Sequence, residues 1–191
     1  IDDGSDDNTH SILKKNKSFV TLRNKINRGK GFSIKRGLNI ASNQNIILID
    51  GDLEIDIFHI PKFIKSFEQS NKDVLVGSRW DKKNKTIFEI NYIGNFLINK
   101  LFNILFKSNV SDVLCCLKIL DRKTLKSLNL QSNNFSIEVE TMAKLILGNF
   151  SIDESYIDYK RRTVKEGKKL KISDGWDIVL KMILTRFSKN I

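Results

Sequence analysis

Ile46-Ile-Leu-Ile-Asp-Gly-Asp-Leu-Glu54 is the stretch that decides the fold of this chain. Its first four residues are apolar and three are β-branched, the pattern of a buried strand. The strand ends in acid. Ligands of open α/β sheets bind beyond the carboxyl ends of strands, so Asp50, Asp52 and Glu54 stand where chemistry is expected. These three alternate, and in an extended segment they would share one side. Gly51 allows a close approach of the backbone to a ligand. Three neighbouring carboxylates repel one another unless a cation joins them, and hard oxygen ligands suit Mg²⁺ or Mn²⁺ holding a substrate phosphate. A bare Asp-x-Asp is more often a simple acidic turn, so the weight falls on its surroundings.

Outward from this strand, the chain alternates strands and helices. Upstream, Ile1-Asp-Asp-Gly-Ser-Asp-Asp-Asn-Thr9 reads as a strand end, an acidic turn and a capped helix start. Its Asp spacing and Gly position are wrong for an EF-hand loop. Phe19-Val-Thr-Leu22 reads as a short strand. Asn27-Arg-Gly-Lys-Gly-Phe-Ser33 places glycines around a cation before a helix over residues 32–42, a setting that can present N–H groups and an ammonium to a phosphate. The spacing is not that of a P-loop.

Downstream, Pro61 opens a helix to residue 70, and Val74-Leu-Val-Gly-Ser-Arg79 is a second buried strand, ending in Ser78 and Arg79. Residues 89–106 form a helix whose apolar face is broader than a normal core stripe. Asp112-Val-Leu-Cys-Cys-Leu-Lys-Ile-Leu120 reads as a turn and strand, and Phe135-Ser-Ile-Glu138 leads into a helix to residue 147. Residues 152–159 are the last strand, before a basic loop over residues 160–171. Ser173 caps a final amphipathic helix over residues 176–187. The alternation predicts an α/β sandwich with a mostly parallel sheet.

At 191 residues the chain is of a size for one domain, and 40% apolar composition with a single Pro and ten Gly leaves no linker or low-complexity tract. The chain starts inside a motif, at Ile1, and is expected to be a fragment. Its net charge of +11 is concentrated at the C-terminal end, where residues 156–191 carry 10 basic and 4 acidic side chains. That asymmetry points to phosphate, anionic lipid or nucleic acid there. Adjacent Cys115 and Cys116 have poor geometry for a structural disulfide, and two His without a second Cys pair leave no zinc site. Reduced cysteines, no apolar run of about 18 residues and no signal peptide lead us to expect a cytoplasmic setting without a transmembrane helix.

The expected strand ends therefore gather Asp2/Asp3, Asp50/Asp52/Glu54, Ser78/Arg79 and Lys160/Arg161/Arg162. Carboxylates bind a base, ribose or metal and cations bind phosphates, which is an inventory for a nucleotide diphosphate substrate. No Gly-x-Ser-x-Gly and no Cys–His signature supplies a hydrolase nucleophile. The favoured chemistry is group transfer with a diphosphate leaving group held by metal and Arg.

The motifs Asp2-Asp-Gly-Ser-Asp-Asp-Asn-Thr9, Asn27-Arg-Gly-Lys-Gly31, Asp50-Gly-Asp-Leu-Glu54, Gly77-Ser-Arg79 and Glu166-Gly-Lys-Lys-Leu-x-x-x-Asp174-Gly follow a known order. The chain resembles the family 2 inverting glycosyltransferases of GT-A fold, of the type that includes dolichol-phosphate mannose synthase and polyprenyl-phosphate glycosyltransferases. The resemblance implies a GT-A (Rossmann-like) mixed, mostly parallel sheet flanked by helices. It implies that Asp3, with Asp2 beside it, contacts the nucleotide base, with Lys30 near it, and that Asp50 approaches the ribose and diphosphate. Asp52, helped by Glu54, would ligate Mg²⁺ or Mn²⁺. Arg79 and Arg162 would handle the diphosphate and acceptor phosphate, and Asp112 would face the sugar. The family's first β–α unit, roughly 30 residues with a Pro-x-Tyr-Asn-Glu type motif, is missing from this sequence. Its central strand and half of the nucleotide pocket would be missing with it. Val113, Leu114, Cys115 and Leu117 also depart from the polar and aromatic residues of relatives.

The resemblance implies a nucleotide-sugar donor, a polyprenyl phosphate acceptor and a peripheral position at the inner face of the membrane, with an oligomer or a small membrane partner subunit as a further expectation. A lipid phosphate is already an anion and needs positioning more than a strong base. A sugar hydroxyl in a surface polysaccharide is the rival acceptor, with Asp112 as its candidate base. Nucleic acid is not expected as a partner, because the acids cluster at strand ends and no aromatic RNA-binding signature interleaves the basic tail. The broad face of the helix over residues 89–106, and the final helix, are expected near the bilayer. Arg162 is expected to reach the diphosphate as residues 163–172 close over the donor.

Overall fold

A computed structural model describes residues 1–80, 90–162 and 172–188. Most of the basic loop, including the Glu166-Gly-Lys-Lys-Leu motif, and Glu89 lie outside the described residues.

The elements run α1 (Thr9–Lys15), α2 (Lys30–Ile40), β1 (Asn45–Leu48), a 3₁₀ turn (Ile57–His59), α3 (Ile60–Ser70), β2 (Val74–Ser78) and α4 (Ile90–Phe106). Then follow β3 (Lys118–Asp121), α5 (Arg122–Ser127), α6 (Ile137–Leu147), β4 (Ile152–Tyr156) and α7 (Ile172–Phe187). The sheet has the order β1-β3-β2-β4. β3 is antiparallel to both neighbours and β2 is parallel to β4, so three strands share a direction and β3 opposes them. The fold is mixed α/β, with a small open sheet flanked by helices.

The core follows apolar spacing. β2 is buried along its whole length, and Phe102 of α4, Leu117, Leu120, Met142 of α6 and Met182 of α7 are sealed around it. Such side chains contribute roughly 1.5–3 kcal/mol each when fully buried.

Several expectations are corrected. The 46–49 strand is an edge strand and only half-buried, because β3 covers one side and the other edge has no ladder among the described residues. Phe19–Leu22 is no strand: the segment pairs only through a parallel Asp2–Arg23 bridge, a single residue's worth of ladder, and Phe19 and Val20 face solvent. The last strand stops at Tyr156, beyond which Tyr159 forms one antiparallel bridge with Ile55. Ser173 lies inside α7, which begins at Ile172 and buries Ile178 and Met182 in the core. α2 begins at Lys30, two residues early, since Gly29 adopts φ 92° and starts the helix there.

Candidate active site

The acidic turn after β1 and the segment after β4 leave opposite edges of the sheet and meet beyond its carboxyl end. The Ile55–Tyr159 bridge joins them, and Lys160 N donates to Glu54 O at 2.8 Å. This junction builds the site.

Residues 51–54 form a turn, not extended chain, and Leu53 sits at φ 60°, strained for a branched side chain. The three acids therefore do not share one side. Asp50 turns to Lys30 Nζ, 2.8 Å away, whereas Asp52 and Glu54 turn to Arg162. Arg162 Nη2 lies 2.8 Å from Asp52 Oδ2, and its backbone N donates to Glu54 Oε1 at 2.9 Å. Tyr159 Oη donates to the other Glu54 oxygen at 2.6 Å. Burial and this bond to Glu54 push the Tyr159 hydroxyl pKa up, so it remains a donor.

Arg79 leaves the end of β2 and grips Asp112 as a fork, Nε–Oδ2 and Nη2–Oδ1 both 2.7 Å, with Arg79 N donating to Oδ2 at 3.0 Å. Burial works against the guanidinium charge, but Asp112 outweighs it and the Arg79 pKa rises. The guanidinium also lies 5.2 Å from the Tyr159 ring centroid, linking the Asp112 end of the site to the Glu54 end. Both oxygens of Asp112 accept hydrogen bonds from Arg79.

The Gly-Lys-Gly turn does not wait for a phosphate. The anion in it is Asp3, whose carboxylate accepts from Arg28 N at 2.9 Å, Gly29 N at 2.8 Å and Asn24 Nδ2 at 2.6 Å. Its glycines serve close packing. A Cβ on Gly29 would stand 2.4 Å from Asn133 O, and one on Gly31 would stand 2.3 Å from Ser132 O. Asp2 is buried beside it: Ser5 N donates to its Oδ1 at 2.9 Å, and Arg23 and His10 lie at 3.5 and 3.4 Å. Burial raises its pKa, but the Ser5 hydrogen bonds and Arg23 outweigh this and hold it below the usual carboxylate range.

Beneath Asp50 runs a chain of alternating charges that sequence reasoning missed. Lys30 Nζ bridges Asp50 and Glu138 Oε1, each at 2.8 Å, and Glu138 Oε2 pairs with the fully buried Lys118. Lys118 also donates to Cys115 O. Burial raises the Glu138 pKa, but Lys118 and Lys30 outweigh it and hold the carboxyl below its usual range. Lys30 is pushed down by burial and more strongly up by Glu138 and Asp50, so its ammonium persists. The signal was present as Lys118 inside the apolar run Leu117-Lys-Ile-Leu120, where an unpaired charge is too costly to bury.

Asp52 and Glu54 converge on one positive group, the Arg162 guanidinium, which stands where a cation can sit. Their carboxylate oxygens are hard donors, the chemistry that suits Mg²⁺ or Mn²⁺ completed by phosphate and water, and no third His, Cys, Asp or Glu joins them among the described residues.

The sequence profile of glycosyl transferase family 2 matches residues 1–128. The chain belongs to glycosyl transferase family 2. An uncharacterised protein of Methanocaldococcus jannaschii is 32% identical over 172 residues, with 82% of this chain and 73% of that protein covered. The dodecaprenyl-phosphate galacturonate synthase of Rhizobium johnstonii is 29% identical, covering 68% of this chain and 39% of that protein. The dolichyl-phosphate hexose transferase of Haloferax volcanii is 24% identical, covering 84% and 68%. Among solved structures, glucosyl-3-phosphoglycerate synthase of Mycobacterium tuberculosis, with Mn²⁺, UDP and phosphoglyceric acid, superposes with a TM-score of 0.67 at 17% identity, covering 96% of this chain and 64% of that one. The family 2 chain is thus a glycosyltransferase of GT-A fold.

Proposed function

We propose that this glycosyltransferase moves a hexose, with inversion, from a UDP- or GDP-sugar to a polyprenyl phosphate, at the inner face of the cytoplasmic membrane. The observation that carries the reading is the meeting of Asp52, Glu54 and Arg162 beyond the sheet end, with Arg79 reached through Tyr159. The names of the Rhizobium and Haloferax relatives support a polyprenyl-type acceptor.

Asp52 and Glu54 would hold Mg²⁺ or Mn²⁺, which supplies charge neutralisation for a diphosphate leaving group. Lys30, fixed by Glu138, sets the orientation of Asp50 toward the ribose and diphosphate side. Asp3 holds the Gly29 turn in shape at the base end of the pocket. Arg162 offers a fork to phosphate oxygens that Lys cannot match. Arg79, braced by Asp112, adds fixed positive charge on the far side. No strong base is needed for a phosphate nucleophile, in keeping with the closed Arg79–Asp112 pair.

A membrane-facing surface suits this acceptor. α4 exposes Ile93, Phe96, Leu97 and Ile104, and α7, packed beside it, exposes Trp176, Leu180, Leu184 and Phe187. Apolar helix faces next to a basic segment favour an anionic bilayer surface. No helix among the described residues is long and apolar enough to cross a membrane.

The test is turnover of radiolabelled UDP- and GDP-hexoses with polyprenyl phosphate and with oligosaccharide acceptors. Transfer to the lipid phosphate, lost on chelation, is expected. Transfer only to the oligosaccharide hydroxyl, or turnover in excess EDTA, would overturn it.

A further inference from the structure

Arg162 is more than a ligand for phosphate. Its guanidinium sits between the carboxylates assigned to the metal, 2.8 Å from Asp52 Oδ2 and 3.6 Å from Glu54 Oε1. Its backbone is tied to the same Glu54, and Tyr159 holds that carboxylate from the other side. The site therefore contains a tethered cation of its own. At the same time the guanidinium is under-used: Nε is buried and finds no hydrogen-bond acceptor among the described residues. This Nε is the atom 3.6 Å from Glu54 Oε1, an ion-pair contact too long for a hydrogen bond, so a phosphate oxygen can complete the fork.

We infer that Arg162 is the resident counter-ion of Asp52 and Glu54, and that the divalent cation and the donor diphosphate displace it together. This rests on the metal-dependent reading above. A metal arriving alone must compete with a cation held at high local concentration by its own chain. A metal arriving with a diphosphate does not, because the released guanidinium gains phosphate oxygens. Metal and nucleotide then bind with positive coupling, part of which runs through Arg162, and the coupling acts equally in both directions. Free metal is held weakly, and the carboxylates stay neutralised until a donor is present.

The experiment is direct Mn²⁺ binding, read by the loss of the free-ion electron paramagnetic resonance signal, with and without UDP or GDP. The proteins are wild type, Arg162→Gln and Arg162→Lys. Without nucleotide, Arg162→Gln should bind Mn²⁺ roughly two- to fivefold more tightly than wild type, the scale of a partly exposed ion pair removed. The factor by which UDP or GDP strengthens Mn²⁺ binding should shrink in the same variant. Arg162→Lys, which keeps a charge but not the fork, should fall between. Equal or weaker Mn²⁺ affinity in Arg162→Gln, or an undiminished nucleotide effect, overturns the inference. If only Arg162→Lys folds, an affinity at or below wild type overturns it. Wild type that takes up no Mn²⁺ even with nucleotide overturns the metal-dependent reading instead.

Discussion

Removing the Glu138 carboxylate tests the charge chain beneath Asp50. Glu138 lies between Lys118, which has no exposed surface, and Lys30, whose other partner is Asp50. In Glu138→Ala, Lys30 keeps Asp50, but among the described residues Lys118 keeps only the carbonyl of Cys115 for a buried ammonium. Breaking a buried pair from one side costs about 3–5 kcal/mol. In a chain of this size a loss of about 3 kcal/mol lowers Tm by roughly 6–12 °C. Urea unfolding followed by circular dichroism measures it. The double variant Glu138→Ala/Lys118→Met removes the stranded charge and should recover most of the loss, so the two changes are strongly non-additive. The sign with pH follows from the same groups. Glu138 is held below its usual range, so its contribution is present above about pH 4.3 and is lost as pH falls through its lower folded value. Lys30 is raised, so its contribution is present below about pH 10.4 and is lost only as pH rises through its higher folded value. Wild type should therefore lose stability in acid, and Glu138→Gln should flatten that loss. A cost below about 1 kcal/mol for Glu138→Ala, well under the buried-pair range, would refute the reasoning. So would a double variant no more stable than the summed singles.

Gly31→Ala drives a Cβ against the backbone of Ser132 and should destabilise by about 1–3 kcal/mol, while Gly37→Ala meets only the flexible end of Ile1 and should gain up to about 1 kcal/mol of helix propensity; paired urea titrations compare them. Arg79→Lys loses the fork on Asp112 and should cost about 1–2 kcal/mol in the same assay, with turnover falling further than stability explains. Leu184→Ser with Phe187→Ser alters exposed positions of α7 and should leave Tm nearly unchanged while reducing flotation with anionic liposomes severalfold. Flotation that is unchanged, or indifferent to lipid charge, would remove the membrane face.

The sequence by itself determined the α/β class and the order of most elements, because apolar runs, glycines and polar strand ends are local signals. That Asp52, Arg79 and Arg162 stand beyond the sheet's strand ends was legible for the same reason, since an open sheet places its ligands there. The rest depended on contacts made far along the chain. Whether Asp50, Asp52 and Glu54 act together was decided by a turn at Leu53 and by Lys30 and Arg162, which arrive 20 residues upstream and 110 residues downstream of their partners. Glycines read as a phosphate cradle turned out to admit the backbone of residues 132–133, and Asp3 turned out to be the anion they hold. Asp112 meets, on both its oxygens, the fork of Arg79, a residue 33 positions before it. Local sequence reports what a residue can donate or accept, but which partner it meets is a property of the packed chain. A charged side chain acquires its chemistry from that partner, and only the tertiary structure supplies it.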